Sequence, residues 1–209
     1  MFSDNQDFYP TPASVIERMI GAARLTGKTV LEPSAGKGDL IDALQKAGAS
    51  VCCCETDPDL AVLAGRKARL LTHDFLDLTA QQVSHIDGIY MNPPFSQGAA
   101  HILHAWEIAP PGCRIVALCN AQTLENRHTR ERIRLSNTLR QYGQTEQLGS
   151  CFGDAERQTP VSVSMVTLHK PGVAEDFGDF FTLEDDEPLP GGPGLMSHNN
   201  GTRGRAALR

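Results

Sequence analysis

From Thr11 to Lys170 the chain alternates short apolar runs with stretches whose apolar residues recur at helical spacing. "TPASVIERMIGAAR" reads as a helix, with Thr11 suited to a cap and Pro12 to the first helical position. "KTVLEP" then reads as a strand and "DLIDALQKAG" as a helix stopped at Gly48. "SVCCCETD" and "PDLAVLAGRKA" repeat the pair, and "RLLTHDF" gives a third strand before a short polar helix at "TAQQV". "IDGIYMN" is the fourth strand, "GAAHILHAWEI" its helix, and "CRIVALCN" a fifth strand leading to a basic helical stretch from Glu125 to Tyr142. "TEQLGSCF" and "VSVSMVTLHK" follow as strands with only a loop between them. Such alternation predicts an α/β fold, a mostly parallel sheet with helices on both faces. The two closing strands predict an antiparallel edge.

The pattern ends at Pro171. Residues 1–171 therefore read as one domain, and residues 172–209 as an acidic, then Gly/Pro-rich tail with too little apolar content to offset the entropy of ordering. The tail also changes the meaning of the charge. The whole chain of 209 residues carries −6, but seven acids and three arginines lie from Val173 onward. The remainder holds 18 acids against 16 lysines and arginines, near −2, which allows a local basic face for phosphates.

Other classes fall away quickly. No apolar run approaches the roughly 20 residues of a membrane span. "MFSDNQDFYP" has neither a basic start nor an apolar signal core, so the expected location is cytoplasmic, with no membrane partner. The six cysteines follow no zinc or secreted-framework spacing, and no metal is expected. Cys52, Cys53 and Cys54 are consecutive in a strand, so their side chains alternate faces and read as buried thiols. His101 and His104 share a helix face without a third ligand and read as packing or surface residues.

Chemistry collects at the strand ends. "LEPSAGKGDL" runs from a strand into a helix, and Gly36 and Gly38 permit a tight turn and close backbone approach to a ligand. The dinucleotide fingerprint G-x-G-x-x-G fails at its third glycine, where Ile41 stands, and Glu32 inside the loop would repel a pyrophosphate. A zwitterionic or cationic ligand suits the loop better. Glu55 ends the second strand, where an acid can take both ribose hydroxyls. Asp74 ends the third and is followed by Phe75, a carboxylate for an exocyclic amine beside a ring for a base face. Singly, each also fits a strand-terminal turn; together they describe a nucleoside site with room for an α-amino acid. After the fourth strand come Asn92, Pro93, Pro94 and Phe95. Proline removes a donor and fixes φ, so this stretch reads as a rigid extended tip presenting an amide and an aromatic ring.

The order FYPTP, LEPSAGKG, CETDP, HDF, MNPPF resembles the class I S-adenosylmethionine-dependent methyltransferases, and more narrowly the branch that methylates adenine N6 in DNA. The resemblance spans Phe8 to Lys170 and implies a Rossmann-like, seven-stranded sheet and S-adenosyl-L-methionine as cofactor. It implies that Thr11, Glu32, Ser34, Ala35, Gly36 and Gly38 hold the methionine part, Glu55 the ribose, and Asp74 with Phe75 the adenine. Asn92, Pro93, Pro94 and Phe95 would hold the target amine and a flipped base, with Asn92 also bordering the cofactor. DNA is the implied partner, with RNA as alternative. The chain shows no recognition domain or long insertion, which leaves room for a separate specificity subunit.

Two rival readings keep the same fold. One changes the acceptor to an RNA base or a protein glutamine; the resembling glutamine enzymes usually have Tyr where this chain has Phe95. The other makes the chain a catalytically silent binding subunit, against which stand Asn92, Glu55 and Asp74, all present. Two nucleic-acid contacts are also expected. Arg127, Arg130 and Arg134 at i, i+3 and i+7 would form a basic stripe, unless Glu131 pairs with Arg127 on a solvated helix. Phe152 is either a second stacking ring or a core residue.

Overall fold

The structure, a computed structural model, describes residues 10–126, 128–152 and 161–172. The expected tail and Arg127 lie outside the described residues. Five parallel strands come first in the chain: β1 (Thr29–Glu32), β2 (Ser50–Cys54), β3 (Arg69–Thr72), β4 (Gly88–Met91) and β5 (Arg114–Asn120). The last two are β6 (Gly143–Gly149) and β7 (Val163–His169). The seven form one sheet in the order β3-β2-β1-β4-β5-β7-β6. β7 runs antiparallel to both of its neighbours, which places the expected antiparallel element next to the rim strand β6.

Helices α1 (Ala13–Ile20), α2 (Asp39–Lys46) and α3 (Pro58–Lys67) contribute to one core. α4 (Gly98–Ile108) and α6 (Arg130–Tyr142) contribute to the other. The strands between them divide their side chains by parity. Leu31, Cys52, Cys54, Ile89 and Met91 belong to the core with α4 and α6, whereas Val30, Cys53 and Tyr90 belong to the core with α1 and α2. This is why the central strands read as continuous apolar runs rather than alternating ones: both faces are covered.

Three local expectations change. α1 has no side-chain cap; Pro12 precedes it and the Thr11 hydroxyl is used elsewhere. "TAQQV" forms turns, not a helix, because Gln82 Oε1 accepts from both the N–H and the hydroxyl of Thr79 and closes the segment on itself. The stretch expected as one helix from Glu125 divides into a short α5 (Ala121–Glu125) and α6. Thr129 begins α6 by accepting the Arg132 N–H on its hydroxyl at 3.2 Å. No helix among the described residues is long and apolar enough to cross a membrane.

Candidate active site

Strand order reverses between β1 and β4, and in open α/β sheets ligands bind outside the carboxyl ends of the strands at that point. β1 ends in Glu32 and β4 leads into Asn92, so an acid and an amide flank the reversal. A cleft of about 250 Å³ opens there. Of the residues expected to hold a cofactor, Thr11, Glu32, Ser34, Ala35, Gly36, Glu55, Asp74, Phe75 and Asn92 line it.

The loop after β1 is held by the two acids it lies between. Ser34 N–H donates to Glu32 Oε1 at 3.0 Å, and Gly36 N–H to Glu55 Oε2 at 2.6 Å. Gly36 sits at φ 54, a left-handed conformation that favours glycine. Asp57 N–H donates to the other oxygen of Glu55 at 2.9 Å, so this carboxylate is fixed from both sides and still has lone pairs for a further donor. Glu32 is 1% exposed. Burial pushes its pKa up to about 8; the Ser34 N–H pulls the other way, and the charge of Glu55 adds to the rise. A cation beside Glu32 would restore its ionised form.

Gly38 does not border the cleft, contrary to its expected ligand role. It caps α2 at φ 84, so its demand for glycine comes from the left-handed backbone, whereas the Lys67 side-chain end, 2.7 Å from an added Cβ, can move aside. At the end of β3, Asp74 Oδ1 accepts the Leu76 N–H at 2.9 Å and leads a single 3₁₀ turn, Phe75–Asp77. Phe75 borders the cleft but is 1% exposed, packed against His101 and His104. The open apolar surface beside Asp74 is Leu76, 39% exposed, and not the face of Phe75.

On the far side, Asn92 Nδ2 donates to Thr11 Oγ1 at 3.0 Å, joining the segment before α1 to the tip after β4. That bond orients the amide, with Oδ1 as its acceptor end. Pro93 is buried, while Pro94 and Phe95 are half-buried. Phe152 is fully buried and meets Phe95 edge-on at 5.8 Å, so it supports that ring from the core and is not itself a stacking surface. Of the expected basic stripe, Arg130 and Arg134 lie one turn apart on α6, and Arg134 pairs with Glu107 of α4 at 2.6 Å.

Lys37, Thr56, Leu76, Gln97 and His101 also line the cleft and were not expected to. Gln97 and His101 follow closely on the Asn-Pro-Pro-Phe tip: Gln97 ends the single 3₁₀ turn Phe95–Gln97 and His101 lies in the first turn of α4. Beyond its single lysine the cleft presents Glu32, Asp39, Glu55 and Asp74, and Ser34 Oγ is buried there without a hydrogen-bond partner. That set of acceptors, with the Ser34 hydroxyl, suits a ligand with a cationic centre, a polar arm at Ser34 and a diol donating to Glu55.

Solved structures share this architecture at low sequence identity. A modification subunit of a putative type I restriction enzyme from Vibrio vulnificus YJ016 matches with a TM-score of 0.64 at 15% identity, over 81% of this chain and 46% of that one. A dimethyladenosine transferase from Plasmodium falciparum gives 0.60 at 15% identity, over 83% and 67%. An RNA methyltransferase from Salinibacter ruber, in complex with S-adenosyl-L-homocysteine, gives 0.54 at 14% identity, over 87% and 97%. No protein-family model matches the chain, and no curated protein matches it in sequence. The chain has the Rossmann-like fold of the class I methyltransferases.

Proposed function

We propose that this chain transfers a methyl group from S-adenosyl-L-methionine to an exocyclic amino group, adenine N6 in DNA. The observation that carries the reading is the meeting of two kinds of chemistry in one cleft: anchored acids and a glycine turn on one side, and the Asn92 amide held by Thr11 on the other. Thr11, Glu32, Ser34, Ala35 and Gly36 would hold the amino-acid end of the cofactor, Glu55 the ribose, and Asp74 with Phe75 and Leu76 the base.

The cofactor supplies, when bound, a methyl group on a positively charged sulfur. The chain's own residues prepare the acceptor. An adenine amine is a weak nucleophile because its lone pair is delocalised into the ring. Asn92 Oδ1 and the Pro93 carbonyl accept its two hydrogens, which favours a pyramidal nitrogen with a localised pair. Fixed φ at Pro93 and Pro94 keeps that carbonyl in place, and Thr11 keeps the amide from turning over. Phe95, propped by Phe152, offers a face to a base taken out of its stack. With the cofactor held by Glu32, Glu55 and Asp74, its sulfonium would supply the methyl group to the amine so held, the S–C bonding pair staying on sulfur and the surplus amine proton going to water. Rate enhancement comes from position and fixed dipoles.

RNA adenine is the second reading, favoured by the dimethyladenosine transferase and the 23S rRNA methyltransferase ErmE among the structural matches. Incubation with labelled S-adenosylmethionine and DNA, RNA or protein tests both: label in N6-methyladenine of DNA supports the first, label in RNA only replaces it with the second. Asn92→Ala should lower turnover by about two orders of magnitude while S-adenosylhomocysteine affinity, read by calorimetry, stays close to wild type. Turnover unchanged at saturating substrate would remove Asn92 from the chemistry.

A further inference from the structure

Two histidines of α4 each bury a ring nitrogen without a hydrogen-bond partner, Nδ1 of His101 and Nε2 of His104. Leaving such an atom unsatisfied is costly, and an apolar residue would avoid the cost. The two rings differ in what they border. His104 is half-buried, stands edge-on to Phe75 at 4.9 Å and does not border the cleft. His101, 7% exposed, lies 5.7 Å from Phe75 and lines the cleft with Asp74, Leu76 and Gln97. Of the two nitrogens, only that of His101 belongs to a residue that borders the cleft.

Its chemistry suits a base edge. The charged groups facing the ring are Asp74, from the turn after β3, and His104, from its own helix. Burial lowers the pKa of His101; Asp74 opposes this and His104 adds to it, so the ring is neutral near pH 7. A neutral imidazole can present Nδ1 as donor or acceptor according to its tautomer. Its neighbours are those of the nucleoside end, Asp74 and Phe75.

We propose that His101 is a specificity residue of the cleft, its Nδ1 hydrogen-bonding the base of the bound nucleoside beside Asp74. The assignment rests on the reading of the cleft as an S-adenosylmethionine site. Packing alone would also bury the ring, so the test separates ring from nitrogen. His101→Phe keeps an aromatic ring against Phe75 and removes the nitrogen; His101→Asn places a polar atom near the position of Nδ1.

Calorimetry with S-adenosylhomocysteine and with 5′-methylthioadenosine, which lacks the amino-acid arm, reads the difference. His101→Phe should weaken both ligands on the order of tenfold, the scale of one hydrogen bond to a buried group. His101→Asn should stay within about threefold of wild type. Equal affinity in all three proteins overturns the proposal in favour of packing. Loss with S-adenosylhomocysteine alone overturns it too, since His101 would then act on the amino-acid arm. Failure of the wild-type protein to bind either ligand overturns the cofactor reading itself, a result distinct from a defect in the variants. If His101→Phe does not fold, His101→Leu against His101→Asn makes the same comparison.

Discussion

Glu32 illustrates how one side chain can be costly to the fold and useful to a ligand. Its pKa stands near 8 in the folded chain against 4.5 ordinarily, because burial disfavours the charged form. The folded state therefore keeps a proton that the unfolded state releases between those values. The contribution to stability is full below pH 4.5 and is lost as pH rises toward 8. Glu32→Gln removes this dependence. Its unfolding free energy should exceed that of wild type by a margin that grows from pH 5 to pH 8, reaching a few kcal/mol at about 1.4 kcal/mol per unit. Denaturant melts at the two pH values check the sign; a margin that does not grow with pH would mean Glu32 is already ionised in the fold.

At the scale of elements, α6 decides how much of a phosphate-binding face the chain has. Thr129 starts the helix at Arg130, and Arg134 already has a partner in Glu107, an exposed pair worth little to stability. Of the two stripe arginines on this helix, Arg130 is thus the exposed one that no acid pairs among the described residues. Arg130→Glu should weaken nucleic-acid binding irrespective of sequence and reduce the salt slope by about one unit. Filter-binding titrations across a salt series check it, and an unchanged slope returns α6 to a solvated helix. The strands were legible because β1, β2, β4 and β5 are buried on both faces and cannot be written without apolar runs. The Asn-Pro-Pro-Phe tip was legible because consecutive prolines permit few backbones. Side-chain partners from elsewhere were not. Nothing local says that Thr11 meets Asn92, 81 residues away, instead of capping α1, or that Phe75 is buried while Leu76 beside it is exposed. The break between α5 and α6 depends on a hydroxyl capturing one N–H, which periodicity cannot see.

For the molecule as a whole, closure comes with β7. Lys170 follows it, donating its N–H to Cys113 O at 2.9 Å and its Nζ to Trp106 O at 2.7 Å, with the ammonium 4.6 Å from the Trp106 ring. Ending the chain after Gly172 should therefore leave S-adenosylhomocysteine affinity and the thermal midpoint near their full-length values. Ending it before Lys170 should lower the midpoint measurably in a calorimetric scan; no difference between the two would place the boundary earlier. The division of β2 between two cores also has a use. Burial pushes the thiols of Cys53, Cys54, Cys113 and Cys119 up to about 12 and raises those of Cys52 and Cys151 too, so what sets Cys151 apart is access: it alone of the six is half-buried. Thiolates, not thiols, react with alkylating reagents. The protein therefore carries its own clock for opening: one adduct by mass spectrometry marks the native chain, and the remaining five arrive together only when both sides of the sheet part at once.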